Sequence, residues 1–258
     1  MKQPLIFIGH GNPMNAIEKN SYSDSWRDIG NSVKVVPRAI LMLSAHWITE
    51  GETRINTADH PAMIYDMYGF PPELYRVKYE CPGSKEIVNE IVDSISSEYS
   101  LVKDEEHGLD HGAWSTLIHV FPDANIPVIQ MSLDYSQSPE WHYEFGKKLQ
   151  ILREQGILII GSGNIVHNLR AIDWSNQKQH DWAIEFDRRV KTAIEGRDHQ
   201  DILHFKKWGQ SSLLAHPTID HFLPLFPLLG AIREDDAPIF STEEITMGSL
   251  SMRSILWS

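Results

Sequence analysis

The chain has 258 residues, of which 41% are hydrophobic, enough for one large α/β unit or two small ones with a substantial core. Its 35 acidic residues against 23 basic ones give a formal charge of -12, which works against nucleic acid and anionic membrane as partners and suits a small neutral or zwitterionic ligand. One cysteine, Cys81, excludes an internal disulfide and any cysteine-rich zinc module, so a bound metal would have to be held by histidines and carboxylates.

Four short runs, 5–8 (LIFI), 39–45 (AILMLSA), 126–133 (IPVIQMSL) and 156–161 (GILIIG), are apolar on both faces and rich in branched residues. That pattern predicts central strands of a sheet covered on both sides. Residues 47–58 read as a hairpin excursion with a turn at Glu50-Gly51-Glu52, and residues 59–83, rich in Pro, Tyr and Gly, as a long loop able to cover a pocket. Helices are expected at 84–98, where Ile87, Ile91 and Ile95 are spaced four apart, at 138–154 after the start signal Ser138-Pro139-Glu140, and at 181–194. Residues 245–257 alternate like a terminal strand with one wet face. No repeat, low-complexity tract or linker divides the chain, so residues 1–258 are expected to form a single α/β/α domain of three layers around a mixed, mostly parallel sheet. No apolar stretch approaches the ~20 residues of a membrane span, and the run Leu5 to Ile8 is too short for a signal peptide, which points to a cytoplasmic protein.

Four of the thirteen histidines stand where an apolar run gives way to small or polar residues: His10, His46, His167 and His221. If the runs are strands of one open sheet, their ends meet at a single crevice, and several imidazoles there suggest a metal. Each histidine alone also reads as a polar residue near a strand end. Gly108 to Trp114 brings Asp110-His111 between glycines; His111 reads either as a loop acid/base, or as a surface residue beside an Asp110 helix cap. His216 reads as a loop residue upstream of Pro217, and His60, His119, His142, His180, His199 and His204 as surface or packing residues. Trp47, Trp114, Tyr65, Tyr68, Phe70 and Tyr75 are candidates to line a pocket for a flat ring, although scattered aromatics are more often core and rim. Gly9-His10-Gly11 and Gly161-Ser162-Gly163 lack the third glycine of a dinucleotide loop, which has Met14 and Val166 in its place, and neither is a Gly-x-Ser-x-Gly elbow.

Five separated motifs in one order carry a family resemblance: His-Gly-x-Pro-x-Asn at 10–15, Ser-Ala-His-Trp at 44–47, Asp-His-Gly-x-Trp at 110–114, Gly-Asn-x-Val-His-Asn-Leu at 163–169, and Pro-Thr-x-x-His-x-Leu-Pro-Leu at 217–225. Together they closely resemble the LigB-type, or class III, extradiol ring-cleaving dioxygenases, in the branch of DOPA 4,5-dioxygenase-like proteins, over residues 5 to about 252. The resemblance implies one divalent metal, Fe(II) or Zn(II), at the C-terminal edge of the sheet, with a small catechol and O2 as reactants. It implies His10, His46 and His221 as ligands, His167 as a further ligand or as the base that deprotonates the catechol, and His111 as a nearby acid/base. The third ligand is an imidazole where such enzymes usually place a carboxylate. Two other functions fit the same histidines: a zinc-dependent hydrolase of a small amide or ester, and a non-catalytic protein that binds zinc for stability.

Overall fold

The computed structural model describes residues 2–95 and 98–258. In chain order the elements are β1 (Leu5–Gly9), α1 (Ser21–Ser32), β2 (Ala39–Thr49), β3 (Thr53–Asn56), α2 (Lys85–Ile95), β4 (Leu101–Asp104), α3 (His111–Val120), β5 (Val128–Asp134), α4 (Pro139–Glu154) and β6 (Ile157–Gly163). There follow α5 (Asp181–Glu195), α6 (His199–Leu203), α7 (Gln210–Ala215), α8 (Leu225–Ala231), β7 (Pro238–Ser241), β8 (Ile245–Thr246), β9 (Leu250–Ser251) and β10 (Ser254–Trp257).

The main sheet has eight strands in the order β4-β3-β5-β2-β6-β1-β10-β7. Its centre, β5-β2-β6-β1, is parallel, while β10 and β7 run antiparallel at one edge and β3 is antiparallel to β5 at the other. Every residue of β1, β5 and β6 is buried, as a sheet covered on both faces requires. Alternate residues feed two cores: Leu5, Phe7, Leu41 and Ile159 pack with α2, α4, α5 and α8, and Ile6, Ile8, Ile40 and Ile160 pack with α1 and α3. These are the three layers expected from the sequence, around a mixed and mostly parallel sheet.

The structure moves several boundaries and overturns two readings. The strand at 39–45 runs on to Thr49, so His46 lies within β2 rather than after it. Residues 47–58 do not form a hairpin, because β5 lies between β2 and β3: the turn at 50–52 only carries the chain over to pair Ile55 with Met131. An apolar β5 gains more from two-sided burial at the centre than from an edge. The segment 245–257 is not one strand with a wet face. The positive φ of Met247 and Gly248 folds β8 back on β9, and β10 enters the main sheet with all four residues buried. Helix α1 and strands β4 and β7 carry weak apolar patterns and were not foreseen. Helix 84–98 is seen as Lys85–Ile95, and its residues 96–97 lie outside the described residues. Loop 59–83 has one short helical turn, Leu74–Arg76, bridges from Met63 to Leu109 just ahead of α3, and meets α3 where Trp114 Nε1–H donates to the Ile64 carbonyl at 2.9 Å.

Candidate active site

Three parallel strands deliver the site. Gly9 of β1 is level with Gly163 of β6, and Ser44 of β2 with Ser162, so His10, which follows β1, and the stretch around His46 reach the same edge. The pairing of β2 with β5 breaks between Leu43 and Ile48, where four residues of β2 face the single Ser132. A bulge of this kind re-aims side chains, and it turns His46 toward His10. Chain from the distant 217–224 loop closes the group. A Cβ on Gly163 would lie 2.2 Å from the carbonyl oxygen of His221, so only glycine lets that loop rest on the end of β6, where Asn164 N–H donates to the same carbonyl at 2.8 Å. His111 opens α3, and Asp110 caps that helix by accepting from the Ala113 N–H, from Ser44 Oγ at 2.7 Å and from Gln130.

The imidazoles of His10, His46 and His221 converge. Their ring centroids are 5.0–5.2 Å apart, and one nitrogen from each falls within 4.8 Å of the others. Ser162 Oγ donates to the Gly112 carbonyl at 2.6 Å, so its oxygen is left to accept from His10 Nδ1 at 2.9 Å. That bond fixes the tautomer of His10 and leaves Nε2 with its lone pair aimed at His46 Nε2, 3.4 Å away. His221 Nδ1 lies 3.0 Å from Asp220 Oδ1, and His46 Nδ1 lies 3.4 Å from Asp66 Oδ2. His10 and His221 are thus hydrogen-bonded at Nδ1 and His46 turns Nδ1 toward a carboxylate, which is how histidines that hold a metal are usually supported. Three imidazole nitrogens within 4.8 Å of one another form a donor set that fits a divalent metal. Burial pushes His10 and His221 well below the ordinary imidazole range, and the surrounding imidazoles add to it; burial and the neighbouring His111 bring His46 to about 3. The nitrogens are therefore neutral at physiological pH and free to bind.

His167 and His111 flank this trio from opposite sides. His167 stacks on His221, centroids 3.5 Å apart and planes 2° from parallel, and groups with Asp220 and His221 rather than with His10 and His46. Burial brings its pKa to about 4. His111, buried, sits 3.9 Å from the ring of His46, with Nδ1 3.0 Å from Asp66 Oδ1. That carboxylate also accepts the His111 backbone N–H at 2.9 Å. Burial works to raise the Asp66 pKa, but its contacts with His111 outweigh it and hold the carboxyl at about 2, ionised.

Above the histidines lies a cleft of about 500 Å³, walled by loop 59–83, by the exit of β6 and by the β8–β9 turn. All five histidines singled out in the sequence line it. Of the aromatics proposed as lining, only Tyr68 and Phe70 do so: Trp114 is wholly buried with its N–H on the Ile64 carbonyl, Trp47 stacks on His107, and Tyr65 donates to the Val77 carbonyl. His216, His119 and His142 are packing residues tied to backbone carbonyls. Sequence reading missed Asp66, Ser162 and Trp174. Asp66 lies in an irregular loop with no periodicity to mark it, and Ser162 passed for part of a glycine turn.

An open α/β sheet with a knot of neutral imidazoles at the C-terminal edge of its parallel strands, under a cleft, defines a protein built to hold a divalent metal beside a small ligand. The comparisons narrow the class. A family model described as the catalytic LigB subunit of aromatic ring-opening dioxygenase matches residues 4–253. The 4,5-DOPA dioxygenase extradiol of Escherichia coli (strain K12) is 39% identical over 257 residues, covering 98% of this chain and 94% of that protein. The protein of the same name from Beta vulgaris is 38% identical over 236 residues, 89% of this chain and 87% of its own. A crystal structure of an uncharacterized protein from Escherichia coli K12 superposes with a TM-score of 0.87 at 35% identity, with both chains covered in full. The chain belongs to the LigB family of aromatic ring-opening dioxygenases.

Proposed function

We propose that this protein is a metal-dependent extradiol dioxygenase that opens a catechol such as DOPA by 4,5-cleavage, acting in the cytoplasm as one domain spanning residues 1–258. The observation that carries the reading is the convergence of three imidazoles, two of them hydrogen-bonded at Nδ1, on one point at the floor of an open cleft. His10, His46 and His221 would hold the ion. Bound there, Fe(II) supplies the redox chemistry by which O2 attacks a catechol, which Zn(II), having no redox states, does not; three protein ligands leave room for both reactants.

The remaining residues handle protons. His167, neutral and stacked against His221, would accept a catechol proton, and the nearby Asp220 carboxylate favours the charge it then carries. His111 is the second acid/base. Its Nδ1 lies 3.0 Å from the ionised Asp66 carboxylate, which would orient the ring toward the opening catechol. Asp66 acts through His111 and His46 as a positioning residue. Loop 59–83 excludes water with Met67 and Phe70.

The test is anaerobic reconstitution of metal-free protein with Fe(II), addition of DOPA and then admission of air. Oxygen uptake with a yellow ring-opened product, abolished by chelation, is expected. No uptake with any of several catechols refutes the proposal. His167→Ala is expected to lose turnover while retaining metal; loss of the metal itself would make His167 a ligand.

A further inference from the structure

The cleft is built from one chemistry. Apart from the histidines and the Gly11-Asn12-Pro13 turn, it is walled by apolar and aromatic side chains, among them Met67, Phe70, Ile172, Trp174, Met247 and Leu250, and no Lys, Arg, Asp or Glu is among its lining residues. The two nearest carboxylates are occupied below, Asp66 with His111 and His46, and Asp220 with His221. Arg170 stands between the lining residues Leu169 and Ile172 in sequence but does not itself line the cleft. At the mouth, Tyr68, Trp174 and Leu169 are 92%, 81% and 60% exposed. Single exposed apolar residues are ordinary, but three converging on the rim of one cleft mark a surface with a ligand to cover it. The volume of about 500 Å³ lies within the ~300–1,000 Å³ usual for drug-sized ligands, more than one six-membered ring fills.

Resting on the catechol-cleaving reading, we infer that the preferred substrate carries an uncharged, apolar or aromatic substituent on the catechol ring, and that a zwitterionic amino acid such as the side chain of DOPA is accepted less well. An ammonium or carboxylate resting on these walls gives up water and finds no charged side chain among them to pair with. A hydrocarbon substituent in the same place gains about fourfold in affinity for each methylene buried. The net charge of -12 further disfavours anionic catechols.

The experiment compares four catechols of similar shape on the Fe(II)-loaded protein: 4-propylcatechol, DOPA, 3-(3,4-dihydroxyphenyl)propionate and dopamine. Dissociation constants are measured anaerobically by calorimetry, and kcat/KM by oxygen uptake. 4-Propylcatechol is expected to bind and react at least tenfold better than any of the charged three. Trp174→Ala should reduce its advantage over unsubstituted catechol at least threefold, and Arg170→Ala should leave the binding of DOPA unchanged. Equal or tighter binding of a charged catechol overturns the inference, as does selective weakening of DOPA by Arg170→Ala. If the calorimetric order holds but none of the four is turned over, the ring-cleaving reading falls and the assignment of the cleft stands; if DOPA is turned over best, the reverse is true.

Discussion

Replacing Ser162 by alanine isolates the support of a single imidazole. In the native structure this hydroxyl gives its hydrogen to the Gly112 carbonyl and takes one from His10 Nδ1, with all three groups buried. Removing it leaves the carbonyl only a share of the Thr116 hydroxyl, 3.3 Å away and closer to the Ala113 carbonyl at 2.9 Å, and leaves the His10 N–H with no acceptor. A buried donor without a partner costs about 1–3 kcal/mol. The ring can escape by moving its proton to Nε2, and that tautomer no longer presents a lone pair to His46 and His221. The variant should therefore bind metal about 10–100-fold more weakly, equal to about 1.4–2.8 kcal/mol, while the rest of the fold is retained. Chelator competition gives the metal dissociation constant, and circular dichroism checks the fold. A dissociation constant within twofold of the wild type would refute the claim that Ser162 sets the His10 tautomer.

Asp66→Asn keeps the size of the side chain but removes the charge facing His111 and His46; kcat should fall about 10–100-fold with KM little changed, and the pH profile of kcat should move, whereas a purely structural role would lower stability and leave the profile in place. Arg153 is wholly buried, pairing with Asp236 through two contacts of 2.6 and 2.7 Å. Arg153→Ala leaves Asp236 to Lys2 Nζ at 2.7 Å and the Arg233 N–H, and takes a donor from the Gln3 and Ala231 carbonyls; it should cost about 1–3 kcal/mol in urea unfolding, and a loss under about 0.5 kcal/mol would contradict it. In metal-free protein, burial holds His46 at about 3 and His167 at about 4, below their ordinary 6.5. The unfolded chain then binds more protons than the folded one between those values, so stability is full above pH 6.5 and is lost as pH falls. The slope is up to about 1.4 kcal/mol per pH unit for each group, and urea midpoints that stay flat from pH 7 to 5 would count against it.

The legible part of this protein lies in its local patterns. Runs such as LIFI and ILIIG are apolar at every position, and only a strand at the centre of a covered sheet buries both faces, so β1 and β6 were readable within two residues. The start signal Ser138-Pro139-Glu140 marked α4, and Ser138 does cap it by accepting from the Trp141 N–H. The positions of His10, His46, His111, His167 and His221 were also visible, since each follows, interrupts or precedes such a run or sits in a distinctive glycine-flanked motif.

What those histidines do to one another was decided by tertiary structure. Strand order does not follow from strand identity: β5 separates β2 from β3, and the resulting register places a bulge at His46. The trio unites residues 10, 46 and 221, and stacking sets His167 against His221 instead of beside His10. Asp66, in a loop without periodicity, meets two imidazoles only after that loop has packed on α3. Side-chain period reports which face a residue buries, and so the sequence by itself determined the layers and the candidate residues. His221 finds the partner of its Nδ1 in the adjacent Asp220, but which nitrogen His10 and His46 turn inward depends on a hydroxyl or carboxylate brought from a distant segment, and only the folded chain supplies it.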